Sequence, residues 1–395
     1  MAPSMRYALV LFLLLFAALY AGFGVQSPFL PGLLQDRGLR PEAIGTVLAA
    51  GTMVRLAAGP LAGRLADRLD AAKLVFAGCA AAAALMALLY LSAEGLWALL
   101  LVGFLHAAAL SPLAPLSDTL ALGTAAPAGG NGASGPGFDY GWIRGAGSAA
   151  FIVGTILSGQ LVGAYGIAMV IWLQALLLAA AAFCAPWVRQ IPRRLAQQSK
   201  ITSPESGGVM ALFRLGKFPL VMLVAALILG SHALHDSFAV IRWNAAGIGP
   251  GAAGLLWSEA VAGEVVVFFI IGRPLLDRLG PSGAAALAAT AGMVRWSVEA
   301  QTAWLPAMAA IQPLHGFTFA LLHLANMRLL AETVPPRLAA TALTVYGTVG
   351  VGAAVALMTL VSGSLYAQFG AHGFWAMAVL CAIALPLARR LRTTT

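Results

Sequence analysis

Gln312, His315, Phe319, His323 and Asn326 recur at helical spacing in the stretch 292–328 of an otherwise apolar chain. At about 100° per residue these five side chains share a sector of about 80° on an α-helix. Polar groups at membrane depth are costly unless they face protein or water. Five on one stripe therefore point to a lined cavity, against the plainer reading of one or two hydrogen bonds to a neighbouring helix. Other ionisable residues stand in apolar surroundings nearby. His232, His235 and Asp236 lie within about 100° of one another on a helix, whereas Glu259 and Glu264 are about 140° apart and should serve different surroundings. Arg295, Trp296 and Glu299 follow, with the first and last at the i,i+4 spacing of an ion pair. Such groups suit proton exchange and anion binding. A carboxyl enclosed in protein favours its neutral form, and a nearby cation favours the carboxylate. Glu264 is the leading proton carrier, Glu259 the second, and His315 and His323 are relays. Arg144 and Arg295 offer planar forks for a carboxylate, and Trp296, Phe319 and Trp257 offer faces for an apolar body.

These residues need rigid elements at membrane depth, and composition supplies them. The 395 residues are 61% hydrophobic and 9% charged, far below the roughly one quarter charged residues of a soluble domain. Long unbroken apolar runs exclude a β-barrel and divide the chain into twelve helical spans. Expected spans include helix 1 over 8–34, with Pro28 and Pro31 allowing a bend, helix 2 over 43–63 with Arg55 inside it, helix 4 over 96–122, helix 7 over 218–242, helix 8 over 251–271, helix 9 over 281–299, helix 11 over 338–366 and helix 12 ending at Arg389. In helix 4, Pro112 and Pro115 remove backbone hydrogen bonds and should unwind the helix beside Asp118. The net charge of +9 does not signal nucleic acid. All Lys and Arg except Arg37, Arg40, Arg55, Arg144, Arg242 and Arg295 fall on alternate connections, which places both termini in the cytoplasm.

The longest connection divides the chain into a six-helix bundle over 1–188, a cytoplasmic linker over 189–217 and a second six-helix bundle over 218–395. The Gly-rich run 128–137 lacks the Gly-Lys-Ser/Thr of a phosphate loop and reads as a connector. Cys79, Cys184 and Cys381 stand singly, without CxxC or histidine at metal spacing, so they read as packing residues, with no metal or cofactor expected. Ser231, His232 and Asp236 are types that a nucleophilic site uses. However, they lie on one helix, and neither Gly-x-Ser-x-Gly nor HExxH is present, so an enzyme is not expected.

The charged loop Gly63-Arg-Leu-Ala-Asp-Arg-Leu-Asp70 returns, degenerate, as Gly272-Arg-Pro-Leu-Leu-Asp-Arg-Leu-Gly280, half a chain length later. Two halves related by duplication would give that spacing. The loop resembles the signature of the major facilitator superfamily, and the resemblance covers nearly the whole chain. It implies twelve helices in two pseudo-symmetric six-helix halves, with Asp67, Arg68, Asp277 and Arg278 as gating residues. Asp70 stands where the family has glycine.

Further words look similar to the 3-phenylpropionate permease group: Ser111-Pro-Leu-Ala-Pro-Leu-Ser-Asp118, Asp139-Tyr-Gly with Arg144 and Gly147-Ser148, Trp257-Ser258 with Glu264-Val265, Val294-Arg295-Trp296, and His315 through His323 to Met327-Arg328. More distantly, they resemble oligosaccharide and nucleoside proton symporters. The resemblance implies proton-coupled uptake of a small aromatic or other carboxylate by alternating access, in a bacterial inner membrane and by a monomer. Asp118, Arg144, His232, Glu264, Arg295, Trp296, His315 and His323 occupy matching positions. Gln312, Phe319, Asn326 and Asp236 join the substrate-binding set, and Asp118 joins Glu264, Glu259 and His323 in proton coupling. His235, Asp236, Arg242 and Glu259 depart from the group and make the pocket more polar. The alternative is a drug–proton antiporter exporting lipophilic compounds.

Overall fold

In a bilayer every backbone polar group must be satisfied within its own segment, so long apolar runs fold as helices. The computed structural model describes residues 3–124, 140–188 and 208–392, and no strand occurs among them. Among the described residues, ten helical stretches are long and apolar enough to cross a membrane, and two of these, Pro250–Gln301 and Pro336–Arg389, run to 52 and 54 residues. Gly280 (φ 65°, ψ 170°), just ahead of Pro281, breaks the first, and Gly370 (φ 53°) breaks the second. Among the described residues this gives twelve long helices. They are α1 (Pro3–Gln26), α2 (Pro41–Leu69), α3 (Ala72–Leu89), α4 (Gly95–Leu122), α5 (Tyr140–Tyr165), α6 (Met169–Trp187), α7 (Phe218–Ala245), α8 (250–279), α9 (281–301), α10 (Leu305–Thr333), α11 (339–369) and α12 (Phe374–Arg389).

The chain forms two compact units, one of residues 1–37 and 54–200, the other of residues 38–53 and 201–395. In the first unit a core of Phe12, Leu15, Phe16, Leu19, Phe76, Leu113, Ile143 and Leu178 holds α1, α3, α4, α5 and α6 together. Helix α1 touches α5 backbone to backbone: a Cβ on Gly154 would lie 2.8 Å from Ala21 Cα, so only glycine permits the approach. Thr155 and Ser158 complete the seam by donating to Gly24 O and Val25 O at 2.9 and 3.1 Å. In the second unit Phe218, Val221, Met222, Leu322, Leu329 and Tyr346 surround an alanine-faced α9, which packs closely on α12.

Several sequence expectations change in detail. Helix α1 ends at Gln26, and Leu30–Asp36 is a separate short helix with proline in its first turn. The unwound point of α4 is Ser111–Pro112, and Asp118 lies in regular helix beyond it. Asp70 has φ 47°. Its counterpart Gly280 also has a positive φ, 65°. The run 128–137, Asp139 and most of the linker 189–217 lie outside the described residues.

Three wide π-helical turns occur in the second unit: Val267–Ile271 in α8, Phe317–Leu321 in α10 and Tyr346–Ala353 in α11. Each accommodates an extra residue in its turn and rotates the helix beyond it, a feature often found at functional sites.

Candidate functional site

The second unit gathers its ionisable residues around Arg295, which is wholly buried on α9. Its Nη1 donates to Thr318 Oγ1 at 3.3 Å and lies 3.3 Å from His315 Nδ1, while Nη2 donates to Gln312 Oε1 at 3.3 Å. The guanidinium also sits 4.5 Å from the Trp296 ring centroid. Arginine has no acceptor, so His315 Nδ1 must accept, and a neutral imidazole then carries its proton on Nε2. That nitrogen faces Glu264 Oε2 at 3.6 Å. His315 thus bridges a fixed cation and a partly accessible carboxylate. A second proton on its ring would set Nδ1–H against a guanidinium N–H.

The bridge exists because α8 and α10 touch through glycine. A Cβ on Gly263 would lie 2.8 Å from Pro313 O and 2.9 Å from Pro313 Cα, and one on Gly316 would lie 2.7 Å from Val267 Cγ2. Glu264 and His315 are the neighbours of these glycines. A tight turn at Gln312–Leu314 and the π turn at 317–321 set the rest of α10.

Those turns divide the polar stripe. Gln312 and Asn326 are buried, the first on Arg295 and the second donating to Tyr346 OH at 2.9 Å. Phe319 and His323 are exposed. Phe319 stacks on His315 at 5.6 Å, and His323 meets the edge of Phe268 within electrostatic range of Glu264. A regular helix would have kept all five on one face, and the extra residue in the π turn removes that regularity.

His232 is buried against His315 and Trp296, at centroid distances of 5.1 and 5.3 Å. Trp296 donates to Ser231 Oγ at 2.8 Å, which fixes the indole that lies between these groups. Asp236 is exposed, within electrostatic range of His235, His315 and Arg295. Glu259 makes no ion pair among the described residues. Glu299 does not take the i,i+4 partner its spacing offered; it binds His235 instead, at 2.8 Å.

The first unit holds a separate cluster. Arg144 of α5 pairs with Asp118 of α4 at 3.6 Å, and both side chains are partly accessible, at 40% and 32%. Tyr140 OH donates to Asp118 Oδ1 at 2.8 Å, Arg144 Nη1 donates to Tyr20 OH, and the guanidinium lies 5.0 Å from the Tyr20 ring centroid. Gly147 lets Tyr20 approach, since a Cβ there would be 3.1 Å from Tyr20 Cδ2. Unlike Arg295, this guanidinium is open to a ligand.

Asp67, Arg68, Asp277 and Arg278 are all exposed near the helix ends. Asp277 accepts from Arg328 at 2.9 Å, and Arg328 also donates to Glu332 at 3.1 Å. Sequence reasoning did not assign Tyr20, Tyr140, Thr318 or Glu299 to a site. Tyr140 sits inside one of the words that carried the family resemblance, whereas nothing in sequence links Tyr20 to α5 or Glu299 to α7.

The chain matches the family model described as MFS_1 like family over residues 5–377. It is 33% identical over 386 residues to a probable 3-phenylpropionic acid transporter of Escherichia coli (strain K12), covering 93% of each chain. It is 26% identical to a maltose permease of Geobacillus stearothermophilus, covering 97% of this chain and 95% of the relative. Its fold is that of the crystal structure of the nucleoside transporter NupG, with TM-score 0.81, 18% identity, and coverage of 97% of each chain.

Proposed function

The chain belongs to the MFS_1 like family within the major facilitator superfamily of membrane transporters, and on that premise we propose that it is a proton-coupled symporter taking up a small organic carboxylate by alternating access. The observation that carries this reading is the Arg295–His315–Glu264 bridge. It joins a buried fixed charge, a titratable ring and a carboxylate with partial access to water. Arg295 holds the imidazole in the tautomer whose Nε2 faces Glu264, so the proton is exchanged at Glu264. His323, also within range of that carboxylate, is a second relay.

The solute carboxylate is received by Arg144, the accessible guanidinium, with Asp118 and Tyr140 aiming it. A carboxylate arriving there competes with Asp118 for the same fork. The relative's name supplies the first solute to test, 3-phenylpropionate.

Uptake of labelled 3-phenylpropionate into proteoliposomes under an imposed pH gradient tests the reading. Wild type is expected to accumulate solute when the outside is acidic. Glu264→Gln is expected to lose accumulation yet keep exchange between two solute pools. Accumulation by Glu264→Gln would remove Glu264 from the coupling role. Proton-driven extrusion of lipophilic cations, with no carboxylate uptake, would establish the antiport alternative instead.

A further inference from the structure

The interior of the second unit contains another ionisable pair, which the Glu264 relay does not use. Glu299 of α9 and His235 of α7 are 2.8 Å apart, and their side chains are only 1% and 5% exposed. Glu299 Oε1 faces His235 Nδ1, whereas Oε2 is enclosed and has no hydrogen-bond partner. Trp257 of α8 stacks on the imidazole at 5.3 Å and 17°, and Trp243 and Trp296 approach its other sides.

The charges around this pair can be balanced. Asp236 and Arg242 of α7 and Arg295 of its own helix lie within electrostatic range of Glu299. Helix α10 brings His315 to Arg295, and α12 presents Phe374 to Arg242 and Cys381 to Ser231. With Glu264 included, three carboxylates stand against two guanidinium groups, so one excess negative charge remains if every histidine is neutral. Asp236 and Glu264 reach water, so the costly member of that excess is Glu299, which does not. A proton on His235 cancels it, stabilised by the Glu299 contact and by the indole face of Trp257. That arrangement still leaves Glu299 Oε2 as an ionised, desolvated and unpaired oxygen, the most expensive kind of buried acceptor. A proton bound there makes Glu299 neutral.

We propose that the Glu299–His235 pair is a second proton-binding site of this protein, taking one proton from water at Glu299 Oε2 and returning it by the same path. Asp236, the residue after His235 and the exposed member of the cluster, is the group through which the proton enters. In the step an O–H bond forms at Oε2, and the donor water or Asp236 carboxyl loses the same proton, so nothing else is consumed. The added positive charge is offset by the carboxylate solute. In that respect alone the inference rests on the symport reading.

Difference infrared spectra of the purified full-length protein in bilayers, with no solute present, test the site directly between pH ~5 and ~9, the range in which buried carboxyls titrate. Glu299→Gln is expected to remove one protonated-carboxyl C=O band and Glu264→Gln a different one. His235→Gln, which keeps Glu299, is expected to shift the first band and supplies the answer should Glu299→Gln not fold. A spectrum left unchanged by substitution of either member of the pair overturns the proposal, because Glu299 then holds one protonation state throughout and only anchors His235. In transport, Glu299→Gln should move one fewer proton per 3-phenylpropionate, read from the reversal potential; an unchanged ratio also overturns it. If 3-phenylpropionate is not carried but the infrared band is lost, the solute assignment fails and the proton site stands.

Discussion

Gly263→Ala places a methyl group where α8 and α10 touch, one residue before Glu264. Its Cβ would lie 2.8 Å from Pro313 O and 2.9 Å from Pro313 Cα. Ordinary carbon–oxygen contacts begin near ~3.3 Å and carbon–carbon contacts near ~3.5 Å, so the helices must separate by about 0.5–1 Å. The backbone on the other side cannot rotate away as a side chain could. Overpacking of this kind costs about 1–3 kcal/mol. The same displacement lengthens the Glu264–His315 separation of 3.6 Å to about 4.1–4.6 Å. At 3.6 Å the contact between His315 Nε2 and Glu264 Oε2 is already at the outer edge of hydrogen-bond reach, and a further separation of that size removes it. Gly263→Ala should therefore lower thermal stability in detergent and weaken proton-driven accumulation together. Gly145→Ala on α5 is the control, because a Cβ there meets nothing within 4 Å, and helix propensity alone makes it neutral or stabilising. Melting temperatures from dye-reported unfolding, with initial uptake rates at two external pH values, give both readouts. Equal melting temperatures for Gly263→Ala and Gly145→Ala, with unchanged uptake, would refute the claim that this glycine contact sets the bridge.

Two further outcomes are expected from other parts of the fold. Gly280→Ala puts a Cβ at φ 65°, ψ 170°, a region essentially reserved for glycine, and should cost about 1–3 kcal/mol in chemical or thermal unfolding; stability equal to wild type would mean that the turn relaxes freely. Tyr140→Phe removes the 2.8 Å donor to Asp118, and the loss of about 1 kcal/mol of orientation at Arg144 should raise KM for a carboxylate about fivefold with kcat little changed. An unaltered KM in initial-rate uptake would take Tyr140 out of the receptor.

Which residues belong to membrane helices was legible because the bilayer imposes one rule on every span: an apolar run of about 20 residues with its backbone bonded internally. The paired charged loops were legible because their residues repeat in order, and both copies have a positive φ at corresponding positions, Asp70 and Gly280. The ionisable residues carried by these helices were legible as a list, but their contacts were not. The stripe from Gln312 to Asn326 assumed a constant 100° step, and the wide turn at Phe317–Leu321 breaks that step. Gln312 and Asn326 went to the interior, while Phe319 and His323 remained exposed.

Glu299 marks the boundary between the two kinds of information. Its spacing from Arg295 offered a local ion pair, and that spacing is all that a linear chain can display. The folded unit gives Arg295 to Thr318, Gln312 and His315 and gives Glu299 to His235, because α7 and α10 supply partners at 2.8–3.3 Å within a poorly hydrated interior. Sequence alone determined that this protein buries ionisable groups among membrane helices. Tertiary packing, through a few glycine contacts and one irregular turn, decided which of them meet, since hydrogen bonds and ion pairs depend on distances of a few tenths of an ångström that no residue spacing encodes.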